Sequence, residues 1–88
     1  MMTRDSIAAV VISSISRVLE IPEAGIREDA RLAADLGADS IALVQIADLV
    51  EDTCADRGGA DLRFLDADLA RLPTVASTID YLSHQVAR

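Results

Sequence analysis

Residues 36–52, LGADSIALVQIADLVED, decide the fold, because a lead of glycine, aspartate and serine gives way to a helical pattern. Asp39 stands at this change, and aspartate is a preferred N-cap residue. We predict a helix from Ser40 to about Cys54, with one apolar stripe and one polar face. The stripe comprises Leu43, Val44, Ile46, Ala47, Leu49 and Val50, and the polar face comprises Gln45, Asp48, Glu51 and Asp52.

Two further amphipathic helices flank this one. Apolar residues recur at helical spacing over residues 4–20, behind Thr3 as N-cap, and again from Thr74 to about residue 87. A short helix is predicted over residues 66–71, where an aspartate can cap one turn. The sequence therefore predicts three long helices and one short helix.

Residues 21–39 follow no single period and predict a long loop, which in a small domain is more often functional than accidental. Ile26, Leu32 and Leu36 are expected to pin this loop to the core. A second irregular stretch surrounds Gly58-Gly59 and predicts a turn. This turn is interpreted either as a tolerated surface insertion or as a recognition loop for a partner.

The composition favours packed helices over a sheet-rich fold. The chain has 88 residues, which form one domain over residues 1–88, and 51% of them are hydrophobic. Phe64 and Tyr81 are the only aromatic residues, so the core must be built from aliphatic side chains. The predicted fold class is therefore all-α.

The charge balance excludes several functions. The net charge is −7 and the chain contains no lysine, so it repels phosphate backbones and anionic lipids, and basic protein partners are expected instead. Cys54 is the only cysteine and His84 the only histidine, which argues against a disulfide or a metal cluster. No apolar run approaches the length of a membrane span, and a cytoplasmic monomer is expected.

The hydroxyl of Ser40 is a candidate functional group. A serine in the first turn of a helix lies near the positive end of the helix dipole, which favours a phosphate ester. Nucleophilic catalysis by Ser40 would need a base, but the surrounding residues lack the Gly-x-Ser-x-Gly pattern and His84 is distant in sequence. Ser40 is therefore better suited to being modified than to attacking a substrate.

The residues around Ser40 resemble a motif of the acyl carrier protein family. LGADSIALVQIADLVED is similar to the family signature, in which Gly-x-Asp-Ser-Leu/Ile opens the second helix. The resemblance extends to LAADLGADS at residues 32–40 and to LPTVASTIDYL at residues 72–82. It implies a four-helix bundle of acyl-carrier type, with a long loop between the first and second helices.

The resemblance also implies site residues. Ser40 would carry 4′-phosphopantetheine, installed from coenzyme A by a phosphopantetheinyl transferase. Ala42 and Gln45 are uncharged where many fatty-acid carriers are acidic, which points away from the usual fatty-acid synthase enzymes. The residues expected to contact partners are Asp39, Ile41, Asp48, Glu51 and Asp52.

The implied function is carriage without catalysis. Acyl intermediates would be held as thioesters on the arm and presented to an acyltransferase, a ketosynthase or other enzymes of a fatty-acid, polyketide or specialised-metabolite pathway, which dock on the acidic second helix. Two alternatives stay open: a peptidyl or aryl carrier of a nonribosomal pathway, and an unmodified adaptor with the same fold. The acidic face itself is either a docking surface or an ordinary solvated face.

Three smaller expectations concern the core and the remaining reactive groups. The aliphatic interior between the second and last helices is hypothesised to open for a short acyl chain. Cys54 is interpreted as a half-buried structural residue, and His84 as a surface residue near a helix C-terminus.

Overall fold

The computed structural model describes residues 3–56 and 74–86. Its helices are α1 (Arg4–Leu19), α2 (Ser40–Asp56) and α3 (Val75–Val86), and Glu23–Gly25 form one 3₁₀ turn. Within the described ranges, the only β-type pairing is an isolated antiparallel bridge between Arg31 and Thr74. The regular secondary structure of these ranges is thus helical, as predicted. The predicted short helix over residues 66–71 and the turn at Gly58-Gly59 lie outside them.

Side-chain caps set where α1 and α3 begin. The Thr3 hydroxyl accepts a hydrogen bond from the Ser6 N–H at 3.1 Å, and the Thr74 hydroxyl accepts one from the Ser77 N–H, also at 3.1 Å. Each bond satisfies one of the backbone donors that a helix start leaves free. Both predicted N-caps are confirmed.

The C-terminus of α1 turns into a left-handed residue. Glu20 has φ 56° and ψ 46°, and its N–H donates to the Ser16 carbonyl. The Ile21 N–H also reaches that carbonyl, at 3.2 Å. This left-handed cap ends the helix, although glycine is the residue that usually occupies such a position.

Helix α1 packs against both α2 and α3 and organises the core. In residues 3–56 and 74–86, the buried side chains are aliphatic apart from Cys54, Ser14 and Thr78. The two buried hydroxyls donate to carbonyls one turn earlier, Ser14 to Val10 at 2.8 Å and Thr78 to Thr74 at 3.1 Å, so neither is left unsatisfied.

The segment between α1 and α2 is anchored at its apolar residues. Ile26 and Leu32 are buried and Leu36 packs against the core while partly exposed, which confirms the three predicted anchors. The 3₁₀ turn interrupts the predicted long loop.

The same segment is joined to α3 by polar contacts. The N–H groups of Val75 and Ala76 donate to the carbonyls of Ala30 and Glu28, at 3.0 and 2.7 Å. The Arg4 guanidinium adds ion pairs to Glu28 at 2.9 Å and to Asp80 at 3.0 Å, and these contacts raise the pKa of Arg4. The start of α3 is therefore fixed against the α1–α2 connection.

The apolar stripe of α2 differs from the prediction at one edge. Ile46, Ala47, Val50 and Cys54 are buried, whereas Val44 is 37% exposed. At about 100° per residue, Val44 lies a quarter turn or more from the centre of the buried arc, so it faces the border with solvent. Val44 is therefore the exposed edge of the predicted apolar stripe.

Candidate functional site

Ser40 is the first residue of α2 and is exposed to solvent. The Asp39 carboxylate accepts a hydrogen bond from the Ala42 N–H at 2.8 Å, and the Asp39 carbonyl accepts one from the Leu43 N–H at 2.9 Å. Asp39 is therefore the N-cap, as predicted. The serine hydroxyl is left free to face solvent at the helix end.

The start of α2 also keeps unused backbone donors. Among the described residues, no oxygen accepts a hydrogen bond from the N–H groups of Ser40 or Ile41. Free N–H groups in a first turn carry the positive end of the helix dipole. An anionic group attached to Ser40 would be stabilised there by about 0.3 to 1 kcal/mol.

The backbone leading to Ser40 is held by a glycine and a buried alanine. Gly37 has φ +75°, a left-handed conformation that favours glycine, although an added Cβ would meet no atom within 4 Å. Ala38 is 3% exposed, and its N–H donates to the Leu32 carbonyl at 2.9 Å. The left-handed backbone conformation, rather than a lack of space, therefore explains why glycine occupies position 37. The buried side chain of Ala38 fixes the backbone just before Ser40.

The solvent face of α2 changes from apolar to acidic with distance from Ser40. Ile41 is 68% exposed, Val44 shares this side of the helix, and Asp48 and Asp52 are exposed farther along. At a rise of about 1.5 Å per residue, the two aspartates lie about 12 and 18 Å along the helix from Ser40. The exposed face of α2 is therefore apolar near Ser40 and acidic farther along the helix.

Glu51 occupies the flank of this face and is half-buried. The sequence grouped Glu51 with Asp48 and Asp52, but its direction from the helix axis is closer to that of Val44. Sequence reasoning also missed the exposure of Val44. The signal that could have revealed both was the angular position of each residue relative to Ile46 and Val50.

The single cysteine and the single histidine of the chain both lie on helices. Cys54 is fully buried, rather than half-buried as predicted, and lies about 21 Å farther along α2. His84 is exposed in the last turn of α3, which confirms its predicted place. Within the described residues, no other side chain hydrogen-bonds to the Ser40 hydroxyl, and no cluster of residues could hold a metal ion.

Comparison with known proteins shows similarity to one protein family and to its curated members. A family model described as "Phosphopantetheine attachment site" matches residues 9–82. An acyl carrier protein of Thermotoga maritima is 37% identical over 86 residues, which cover 98% of this chain and 99% of that protein. In the described part of the chain, no helix is both long and apolar enough to cross a bilayer.

Proposed function

Because the chain belongs to the acyl carrier protein family, whose members carry covalent 4′-phosphopantetheine, we propose that Ser40 is the attachment residue. In this proposal residues 1–88 act as a single carrier domain that moves acyl groups between separate cytoplasmic enzymes. The chain supplies no catalytic group of its own. The observation that carries the proposal is the exposed hydroxyl of Ser40 beside the free N–H groups at the start of α2.

The described residues suit attachment of a phosphodiester at Ser40. The Asp39 carboxylate is directed to the Ala42 N–H, so it caps the helix while the serine hydroxyl stays accessible. Gly37 places no side chain beside the site. The N–H groups of Ser40 and Ile41 are available to the phosphate oxygens.

When bound, 4′-phosphopantetheine supplies a thiol that holds the cargo as a thioester. The residues of the chain present this arm and dock the enzymes that act on it. Since no described side chain hydrogen-bonds to the Ser40 hydroxyl, the base for its modification is assigned to the transferase. Tethering then raises the local concentration of the cargo at each docked enzyme.

The docking surface in this proposal is the solvent face of α2. Ile41 and Val44 would enter apolar contact near the entrance of a partner's active site, and Asp48 and Asp52 would pair with arginine or lysine farther away. Asp39 and the half-buried Glu51 complete the surface at its two margins. Exposed pairs of this kind favour fast, salt-sensitive and reversible docking, which suits a carrier that must leave each enzyme.

The pathway is proposed from composition and from this face. Two neutral residues, Ala42 and Gln45, lie in the first two turns of α2, and all basic residues are arginine, which favours a polyketide or specialised-metabolite pathway over fatty-acid synthesis in this proposal. A peptidyl or aryl carrier is the first alternative, because Asp39 and Ile41 are compatible with its motif. An unmodified adaptor of the same fold is the second.

Intact-mass measurement tests the proposal. The full chain is incubated with coenzyme A, Mg²⁺ and a phosphopantetheinyl transferase of broad specificity, and the mass should rise by one phosphopantetheine. Ser40→Ala should show no gain. No gain for the natural sequence, or a gain for Ser40→Ala, contradicts the proposal.

The class of carrier is tested on the modified protein. Malonyl transfer from malonyl coenzyme A by a malonyltransferase should load the arm, while amino acids with an adenylating enzyme should not. The reverse result favours the peptidyl or aryl alternative. If loading with a short acyl chain shifts the methyl NMR signals of Ile46 and Ile79, the core shelters the cargo, as hypothesised.

A further inference from the structure

The side chain of Asp35 folds back on the chain five residues before Ser40. Its carboxylate accepts a hydrogen bond from the Arg31 N–H at 2.8 Å. In return, the Arg31 carbonyl accepts hydrogen bonds from the N–H groups of Asp35 and Leu36, at 2.9 and 3.1 Å. Residues 31–36 are thereby closed into a turn by bonds that run in both directions.

This turn is fixed at both ends. Leu32 is 2% exposed and Ala38 is 3% exposed, and the Ala38 N–H donates to the Leu32 carbonyl at 2.9 Å. Arg31 is also bridged to Thr74 at the start of α3. The bond from Ala38 to Leu32 extends the bonded segment to residues 31–38, the 31–38 turn, and only Asp39 separates Ala38 from Ser40, so the path of this turn sets where the serine emerges from the core.

Asp35 holds the turn through its hydrogen bond to the Arg31 N–H rather than through its ion pair with the Arg31 guanidinium. The side chains of Arg31 and Asp35 are 63% and 46% exposed, and their ion pair spans 3.5 Å, so water screens it strongly. The Arg31 N–H lowers the pKa of Asp35, and the carboxylate stays ionised as the stronger acceptor. The other charged residues of the adjoining groove, Arg27 and Asp29, pair with each other.

We propose that Asp35 is a positioning residue for the modification of Ser40: its carboxylate holds the 31–38 turn that presents the serine to the transferase. This inference rests on the proposed function of Ser40. Without the carboxylate, the turn populates open forms, and the fraction of molecules ready for modification falls. A smaller competent fraction raises the apparent KM for the carrier by the same factor, while kcat at saturation is kept.

The test compares full-length variants in the transferase assay. Asp35→Ala should raise the KM for the carrier measurably, by at most about tenfold, with kcat unchanged, because losing one net hydrogen bond shifts the equilibrium between closed and open turn by about that factor. Asp35→Asn keeps an acceptor oxygen without the charge and should lie between Asp35→Ala and the natural protein. Asp29→Ala, which removes an exposed carboxylate from the same groove, is the matched control and should leave KM unchanged.

Amide hydrogen exchange provides a readout that does not depend on modification. In Asp35→Ala, exchange should accelerate at Arg31 and Ala38 and stay unchanged at Val11 in α1 and Ile79 in α3. Unchanged exchange at Arg31 and Ala38, an unchanged KM, or an equal KM increase in Asp29→Ala overturns the inference. A natural protein that gains no phosphopantetheine refutes the proposed function instead, while the exchange data still decide whether the Asp35 carboxylate holds the turn.

Discussion

Glu20 offers a stability prediction whose size follows from backbone geometry. It ends α1 with φ 56° and is the only non-glycine residue with positive φ in residues 3–56 and 74–86. Its N–H already caps the helix through the Ser16 carbonyl, so the left-handed conformation is required there. Glu20→Gly should stabilise the protein.

Three contributions set the magnitude. The left-handed conformation costs a residue with a Cβ about 1 to 2 kcal/mol, and glycine avoids that cost. Glycine loses more conformational entropy on folding, which reduces the gain in stability by about 0.5 to 1 kcal/mol. Removing a carboxylate from the negative end of a helix dipole adds about 0.3 to 1 kcal/mol. The expected gain is about 0.3 to 2.5 kcal/mol, and its central value of about 1.4 kcal/mol corresponds to a rise in Tm of roughly 6 to 11 °C for a domain of this size.

Urea and thermal unfolding followed by circular dichroism measure this gain. Glu20→Gln removes the charge and keeps the Cβ, and Glu20→Ala does the same with a shorter side chain, so both should recover only the dipole contribution. If either control stabilises the protein as much as Glu20→Gly, or if Glu20→Gly lowers the Tm, the backbone reasoning is refuted.

The other predictions concern the core, the turn before Ser40 and the docking face. Ile46→Ala should cost about 2 to 5 kcal/mol in urea unfolding because the side chain is buried, whereas Ile41→Ala, on the opposite side of α2, should change stability by less than about 0.5 kcal/mol; equal costs would contradict the assigned faces. The pKa of Asp35 is lowered below its ordinary value of 3.8, so the stability that its carboxylate contributes is complete above pH 3.8 and is lost as the pH falls through the folded-state pKa. The NMR shift of the Arg31 amide should report this transition, and Asp35→Asn should abolish it. The double variant Asp48→Asn with Asp52→Asn should weaken transferase docking up to about fivefold at low salt and much less at high salt, and an effect of equal size at both salt concentrations would argue against electrostatic docking.

Local signals in the sequence were sufficient for helix starts. Thr3, Asp39 and Thr74 each combine a side-chain acceptor with an apolar helical pattern that follows, and each is an N-cap in the structure. Capping depends on residues within one turn, so it can be predicted without knowledge of the tertiary fold. The place of Ser40 at the start of α2 follows from the same signal.

The borders of the buried faces required the structure. A wide apolar stripe on α2 does not show which of its edges meets α1, so the exposure of Val44 was not predicted and the burial of Cys54 was predicted too low. Burial at the edge of a stripe depends on neighbouring elements, which no local pattern encodes.

The turn held by Asp35 also required the structure. Its carboxylate contacts a backbone N–H four residues earlier, in a stretch without periodicity. The sequence revealed the apolar anchors Ile26, Leu32 and Leu36 of this region because burial needs only apolar character. The hydrogen bonds between those anchors depend on backbone angles such as the positive φ of Gly37, which residue types alone do not determine.

The central claim is that Ser40 carries the arm, and mapping the added mass tests it most directly. Trypsin cleaves after arginine and releases residues 32–57, in which Ser40 is the only serine. Ser6 is the matched control, because Asp5-Ser6 repeats the Asp-Ser pair within the first turns of α1. After reaction with coenzyme A and the transferase, the added phosphopantetheine should lie on the 32–57 peptide in the natural protein and in Ser6→Ala, and should be absent in Ser40→Ala. An added mass on the peptide that contains Ser6, or one that persists in Ser40→Ala, would contradict the claim.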